Sequence, residues 1–291
     1  TDHGFSFATG GFRGVRIKRP MVWDSAGRRA RIRIRARVSG TRLLAKKIIP
    51  RAFFAGATYP VYADTTSTFY PDPDTETTSV DGWVYRDAAG EAWATIRAGA
   101  GTVRSDAGAS LNVWAVRNSG NTAWSAIVRS IAVFDTSSLP NAATLSAATL
   151  SLYGSIKHDN GNPSISVGSG ASASNTSLAP GDYESNVTTT DWASTKDVTG
   201  TTTSGYNDFA LNATGLAAIS LTGVTKFSIR VTADQANSDP GAIGGDTASG
   251  MGFFSADQTG TSIDPKLVVT YTAPAGFTPT RRSSLRTLRR M

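Results

Sequence analysis

Short runs of alternating apolar and polar residues, separated by turn-forming residues, recur from Thr58 to about residue 273 and constrain the fold most strongly. In the run ATLSLYG, Ala148, Leu150 and Leu152 share one side, and polar or aromatic residues share the other. A period of two residues is typical of a β-strand that buries one face. A succession of such strands predicts an all-β antiparallel fold, either a β-sandwich or a barrel. One short helix is predicted in NATGLAAIS, capped by Asn212 or Thr214.

The chain has 291 residues, of which 40% are apolar and none is cysteine. Such a chain can bury a core, and it can form neither disulfides nor cysteine-based zinc sites. No apolar run reaches the length of a membrane-spanning helix. We predict three parts: a basic N-terminal arm or remnant of an upstream domain in extended form (1–57), the sandwich (58–273) and a basic C-terminal tail (274–291). The start at Thr1, without Met or a signal peptide, indicates a processed or truncated chain.

Charge divides the chain in the same way. Residues 1–51 carry fourteen Lys or Arg against two Asp, and residues 281–290 carry five Arg and no acidic residue. The part between them carries ten basic and twenty acidic residues. An acidic body between two basic ends indicates a partner with an acidic surface, such as nucleic acid or another protein subunit.

The segment RRARIRIRARV, residues 28–38, alternates arginine with Ala, Ile and Val, which predicts a strand with one basic and one apolar face. The predicted basic contact face consists of Arg29, Arg31, Arg33, Arg35 and Arg37, and the basic tail contributes Arg281, Arg282, Arg286, Arg289 and Arg290. A solvated strand face is the simpler interpretation. Five like charges on one face repel each other, however, so the pattern favours an acidic partner.

The segment RSIAVFDTSSLPNAATLSAATLSLYG, residues 129–154, resembles the signature of the DNRLRE-type β-sandwich, a jelly-roll module of the carbohydrate-binding kind. The matching residues are Phe134, Asp135, Ser137, Ser138, Leu139, Pro140, Ala148, Leu150, Leu152 and Tyr153. The segment SIDPKLVVTYT is similar to the closing strand of such modules, through Asp264, Pro265, Leu267, Val269 and Tyr271. The resemblance covers about residues 60–272. It implies that the fold is an antiparallel jelly-roll β-sandwich, a module of the kind found in phage-associated and secreted bacterial structural proteins.

Catalytic constellations are not evident in the sequence. Its two histidines, His3 and His158, lack the neighbours of a catalytic triad or a metal site. Most carboxylates occupy turn positions, where aspartate forms local hydrogen bonds. We therefore predict that the protein is not an enzyme.

Two groups of acidic residues are candidates for a structural calcium site, and no other cofactor is predicted. The first, in DPDTETTSVDG, consists of Asp72, Asp74, Glu76 and Asp81, because calcium takes several oxygen ligands from loops of this kind. The EF-hand glycine is missing from this loop. The second group is the pair Asp64 and Asp264, at the first and last strands of the predicted sandwich.

Tryptophans are the candidate sugar contacts, because aromatic rings stack on the faces of sugars. Trp83, Trp93 and Trp192 lie in turn-like segments and are the candidate glycan-facing aromatics, although burial in the core is the favoured interpretation for each of them. Trp114 and Trp124 lie in well-patterned strands and are predicted to pack in the core or on the sheet.

Together these features predict a non-enzymatic structural protein of a virion (a bacteriophage capsid, decoration or tail component) or of a cell-surface assembly. Its basic termini would tie it to copies of itself or to other subunits. One alternative is a secreted carbohydrate-binding or adhesin module that binds surface glycan. Another is a capsid-type jelly roll whose basic ends contact nucleic acid. Each of these places the protein in a virion or at a cell surface.

Overall fold

The computed structural model describes residues 5–7, 15–17, 21–24, 26, 28–39, 42–58, 61–63, 65–244 and 247–272. These residues belong to two compact units. The first comprises the described residues up to Thr65 together with 142–144 and Thr272, and the second comprises those of 66–141 and 145–271.

The first unit contains short antiparallel strands. They are β1 (Phe5–Phe7), β2 (Val15–Ile17), β3 (Met21–Asp24), β4 (Arg29–Arg31), β5 (Arg33–Ser39), β6 (Arg42–Ile48) and β7 (Val61–Ala63), with helix α1 at Arg51–Phe54. β1 pairs with β2, β3 lies between β4 and β7, and β5 forms a hairpin with β6. The predicted arginine strand is therefore interrupted at Ile32. Its first part, β4, pairs with β3, and its second part, β5, pairs with β6.

A small core supports this unit. Val22, Ile32 and Phe53 are buried together, and Ala30 packs against them. Asp24 is buried beside this core, where its carboxylate accepts backbone N–H bonds, including one of 2.9 Å from Thr58. These hydrogen bonds, that from Thr58 first, lower the pKa of Asp24.

Twelve strands occur among the described residues of the second unit. They are β8 (Thr65–Phe69), β9 (Asp81–Glu91), β10 (Val103–Ser105), β11 (Ser110–Arg117), β12 (Trp124–Asp135), β13 (Thr144–His158), β14 (Ser164–Ser169), β15 (Lys196–Asp197), β16 (Tyr206–Ala210), β17 (Val224–Val231), β18 (Ala248–Phe254) and β19 (Lys266–Thr272).

Short helices connect some of these strands. They are α2 (Trp93–Ala98), α3 (Asp182–Ser185), a 3₁₀ turn (Val198–Gly200), α4 (Ala213–Ala217) and α5 (Thr232–Gln235). Helix α4 confirms the predicted helix, and Asn212 is its cap, since its side chain accepts a 2.9 Å bond from the Gly215 N–H. A membrane-spanning helix, which would have to be long and apolar, does not occur in the described part of the chain.

The strands are joined in the order β15-β14-β17-β12-β11-β18-β13-β19-β8. Off this path, β9 pairs with β12, β10 pairs with β9, and β16 pairs with β13. The pairings are antiparallel, and the large sheet curls as a half-barrel. Strand accounts for 44% and helix for 11% of the structure. The predicted all-β antiparallel sandwich is thereby confirmed.

Two long strands change partner midway, which turns one ladder into the layers of a sandwich. On one edge, β12 pairs with β11 through residues 124–128 and with β17 through residues 130–135. Similarly, β13 pairs with β16 through 149–153 and with β18 through 154–158. The apolar face of ATLSLYG is buried as predicted, because Ala148, Leu150 and Leu152 are each less than 5% exposed.

Candidate functional site

An open groove of about 330 Å³ lies on one face of the three neighbouring strands β9, β12 and β11. It is lined by alternate residues of β9 and β11 and by small or aliphatic residues of β12. The lining residues are Trp83, Tyr85, Asp87, Asn112, Trp114, Val116, Ser125, Ala126 and Val128. We call this the aromatic groove.

Strand register explains its shape. Tyr85 on β9 and Trp114 on β11 both pair with Val128, which lies between them on β12. Two residues further along the strands, Ala126 of β12 lies between Asp87 of β9 and Val116 of β11. The outer strands therefore supply the walls and the smaller residues of β12 the floor. Adjacent strands lie about 4.8 Å apart, so the backbones of the two walls are about 10 Å apart.

The aromatic rings of both walls are held by neighbours. The Trp83 and Tyr85 rings lie 5.5 Å apart with a tilt of 38°. On the opposite wall, the Trp114 ring meets the His158 ring edge to face at 5.4 Å. Gly250 lies between Trp114 and His158 in the sheet and has a φ of +145°. A Cβ atom at this position would lie only 2.8 Å from the Trp114 Cβ. The glycine therefore leaves room for the indole.

Polar groups in the aromatic groove can hydrogen-bond to a ligand. Asp87 supplies a carboxylate and Asn112 an amide, and Ser125 contributes a hydroxyl. Burial, and then the Asp87 carboxylate, raise the pKa of Tyr85, so its phenol stays protonated at neutral pH. Rings beside a few polar groups form a surface on which a ligand with apolar faces and hydroxyl edges can bind.

The predicted glycan-facing tryptophans separate into two groups. Trp83 is half-buried and lines the aromatic groove. For Trp93 and Trp192 the favoured interpretation, burial, is confirmed. Both are more than 90% buried, Trp93 against Trp124 at 4.7 Å between ring centroids and Trp192 against Phe227 at 5.3 Å. These rings are packed inside the fold and cannot face a glycan.

Trp114 was predicted to pack in the core or on the sheet, and Tyr85 was not singled out at all. The structure places both in the aromatic groove, half-buried. The alternation in SLNVWAV could have predicted the position of Trp114. Leu111 and Val113 lie on the buried face of the strand, so Trp114 lies on the opposite face. The prediction for Trp124 is confirmed, because its side chain is 1% exposed.

Four carboxylates form a second cluster, which we call the acidic cluster: Glu76, Asp81, Asp257 and Asp264. Burial raises the pKa of each of the four, and the charges of neighbouring carboxylates raise it further. Asp264 is 3% exposed and has a pKa of about 6. Its Oδ1 and the Oδ2 of Asp257 have no hydrogen-bond partner in the described part of the chain. These carboxylates are therefore costly to ionise in the folded state.

The calcium candidates are only partly brought together. Asp72 does not join the cluster, because its Oδ2 accepts hydrogen bonds from the backbone and hydroxyl groups of Thr77 and Thr78 and so fixes its own loop. The Asp74 N–H donates to Asp257 Oδ1 at 2.7 Å. Asp64 lies outside the described residues. Within those residues, no three acidic or histidine side chains are arranged to hold a metal ion.

The raised pKa of Asp264 makes stability depend on pH in a defined direction. A carboxyl whose pKa is higher in the folded state favours folding below its unfolded pKa of about 3.9, and this contribution is lost as the pH rises through about 6. We therefore expect Asp264→Asn to stabilise the protein at pH 8, by at most about 3 kcal/mol, and to have little effect near pH 4. Urea unfolding at both pH values measures this. A variant that is equally destabilising at both would contradict it, and Asp208→Asn, at an exposed position, is the control.

The predicted basic contact face is partly described. Arg29, Arg31, Arg33 and Arg35 are exposed, whereas Ile32 between them is buried. The alternation of basic and apolar faces is thus confirmed at these positions. The Arg37 side chain and the arginines of the predicted tail at 281–290 lie outside the described part.

Comparison of the sequence with models of protein families gives no match, and comparison with curated proteins gives none either.

Proposed function

We propose that the chain is a non-enzymatic glycan-binding β-sandwich that works at the surface of a virion or a cell. The observation that carries this proposal is the aromatic groove, in which rings on two walls flank a floor of small and aliphatic residues. A pyranose has apolar C–H faces and a hydroxyl rim. Rings on the walls can stack on those faces, and Asp87 and Asn112 can bond the hydroxyls.

The dimensions of the aromatic groove support a linear ligand. Its walls follow the strand direction from Trp83 to Asp87, a length of about 13 Å. It is open to solvent, which suits a segment within a longer chain. The resemblance of residues 129–154 to a module of the carbohydrate-binding kind agrees with this proposal.

Removing one wall ring tests the site. We expect Trp114→Ala to weaken binding to the best ligand on a glycan array by at least about 30-fold, as for a central aromatic contact worth about 2 kcal/mol. Isothermal titration calorimetry would measure the change. Tyr70→Ala removes a ring that is 40% exposed outside the groove and should leave binding unchanged. Equal binding by wild type and Trp114→Ala would refute the site.

A second candidate function is the structural role predicted first, in which terminal extensions tie subunits of a virion or cell-surface assembly together. The exposed face of Arg29, Arg31, Arg33 and Arg35 supports it. Alternate residues on a strand repeat at about 6.7 Å, so the two arginines of β4 lie close to each other, as do the two of β5, and each pair favours a partner that supplies carboxylates or phosphates.

The role of this face in assembly can be tested by neutralising it. We expect a variant with Arg31, Arg33 and Arg35 changed to Gln to have a lower molar mass than wild type in light scattering at low salt, because the subunit contact loses its charge attraction. Arg51→Gln, exposed on α1, is the matched control. Unchanged mass would eliminate the structural role of the arginine face. Lost retention on DNA with unchanged mass would favour the nucleic-acid alternative.

A further inference from the structure

The charges around the aromatic groove define the class of sugar that it can accept. Asp87 is the one acidic residue among the described residues that line the groove, and Lys, Arg and His are absent from that lining. Asn112 and Ser125 are neutral. An anionic sugar in this groove would therefore meet a carboxylate and no compensating cation.

Each of the three strands that form the groove carries one arginine, and the side chains of these three arginines face away from the groove. Arg86 follows Tyr85 on β9, Arg117 follows Val116 on β11, and Arg129 follows Val128 on β12. Because successive side chains of a strand point to opposite faces, a residue adjacent to a lining residue lies on the other side of the sheet.

Each of these arginines is also held by its own partners. Arg86 forms a bidentate pair with Glu91, with N–O distances of 2.9 and 2.5 Å. The Arg117 guanidinium lies 4.6 Å from the centre of the Trp124 ring. Arg129 is fully buried and pairs with Asp234 at 2.8 Å. None of the three is therefore free to turn towards a ligand in the groove.

We propose that the aromatic groove binds uncharged sugars and rejects acidic ones; this inference rests on the proposed glycan-binding function. The carboxylate of a uronate or sialate bound in this groove would lie near the Asp87 carboxylate, and the lining supplies no cation to offset the repulsion between these like charges. The Asp87 carboxylate instead accepts hydrogen bonds from neutral hydroxyls. Discrimination thus arises from a repulsive element as well as from attraction.

The experiment uses the whole chain and two panels of oligosaccharides at one ionic strength. The neutral panel contains gluco-, manno-, xylo- and galacto-oligosaccharides, and the acidic panel contains oligogalacturonate, oligoalginate and sialyllactose. We expect the best neutral ligand to bind at least about tenfold more tightly than any acidic one, and Trp114→Ala to abolish the difference. Asp87→Lys, which reverses the one charge of the lining, should improve acidic ligands relative to neutral ones.

The outcomes separate the inference from the function on which it rests. Acidic glycans that bind wild type as tightly as neutral ones, in a manner sensitive to Trp114→Ala, would overturn the inference and leave glycan binding intact. Binding of neither panel would overturn both. Phosphocholine is included because rings beside a carboxylate also suit a quaternary ammonium. Its capture in preference to every sugar, lost in Trp114→Ala, would likewise overturn both.

Discussion

Asp234→Asn should destabilise the protein by about 3–5 kcal/mol, the effect expected when one partner of a buried ion pair is removed. Asp234 is completely buried on α5 and faces three arginines. Arg129 donates two hydrogen bonds of 2.8 Å to its carboxylate, Arg97 approaches to 3.3 Å and Arg230 to 3.4 Å. Asparagine preserves the volume and removes the one charge that the three cations share.

The surroundings show why this charge matters. Burial lowers the pKa of Arg230 to about 10 even though Asp234 opposes the shift, and the charges of Arg129 and Arg97 lower it further. The remaining guanidinium donors of Arg129 bond the carbonyls of Tyr183 and Arg97. Without Asp234, these neutral acceptors alone would have to compensate buried positive charge.

Urea unfolding at pH 7 measures the effect, and two variants calibrate it. Asp208→Asn changes an exposed aspartate on β16 and should stay within about 0.5 kcal/mol of wild type. Arg230→Met removes one cation and leaves the Arg129–Asp234 pair intact, so it should cost less than Asp234→Asn. If Arg230→Met cost more, the arginine's packing, and not the shared carboxylate, would dominate this cluster.

The strands of the second unit were predictable because each carries its own period of two. The alternation in ATLSLYG and PKLVVTYT correctly predicts which side chains are buried. Those side chains are Leu150, Leu152, Leu267 and Val269, all fully buried. The change of partner within β12 and β13 was not predictable. The local sequence pattern of a strand indicates which of its faces is buried. The strands with which it pairs depend on residues up to a hundred positions away in sequence.

The aromatic groove escaped prediction for the same reason. Its walls come from β9 and β11 and its floor from β12, so no continuous segment contains the site. Trp93 and Trp192 were candidates for a glycan contact because their neighbouring sequence resembles turns, but their rings pack against Trp124 and Phe227. Burial of a large ring depends on such distant partners, which the residues next to it in sequence do not reveal.

Phe134→Ala should cost about 3–5 kcal/mol of folding free energy, because it removes a fully buried ring and leaves a cavity. Phe134 belongs to the FDTSSLP segment that carries the resemblance, and its ring meets that of Phe227 edge to face at 5.7 Å. Phe227 in turn contacts Trp192. The three rings connect β12 and β17 to the loop that contains Trp192. The cavity left by the substitution would therefore open between these elements.

A double-mutant cycle distinguishes this packing from simple burial. Phe134→Leu and Phe227→Leu keep most of the apolar volume and remove the ring contact, so their coupling should be about 0.5–1.5 kcal/mol. Tyr70→Ala, at an exposed ring of the same unit, should change stability by less than about 0.5 kcal/mol. A coupling of zero, with a large loss for Phe134→Ala, would mean that burial alone holds this ring. Phe134 would then stabilise the fold through its buried volume, and its edge-to-face contact with Phe227 would add nothing.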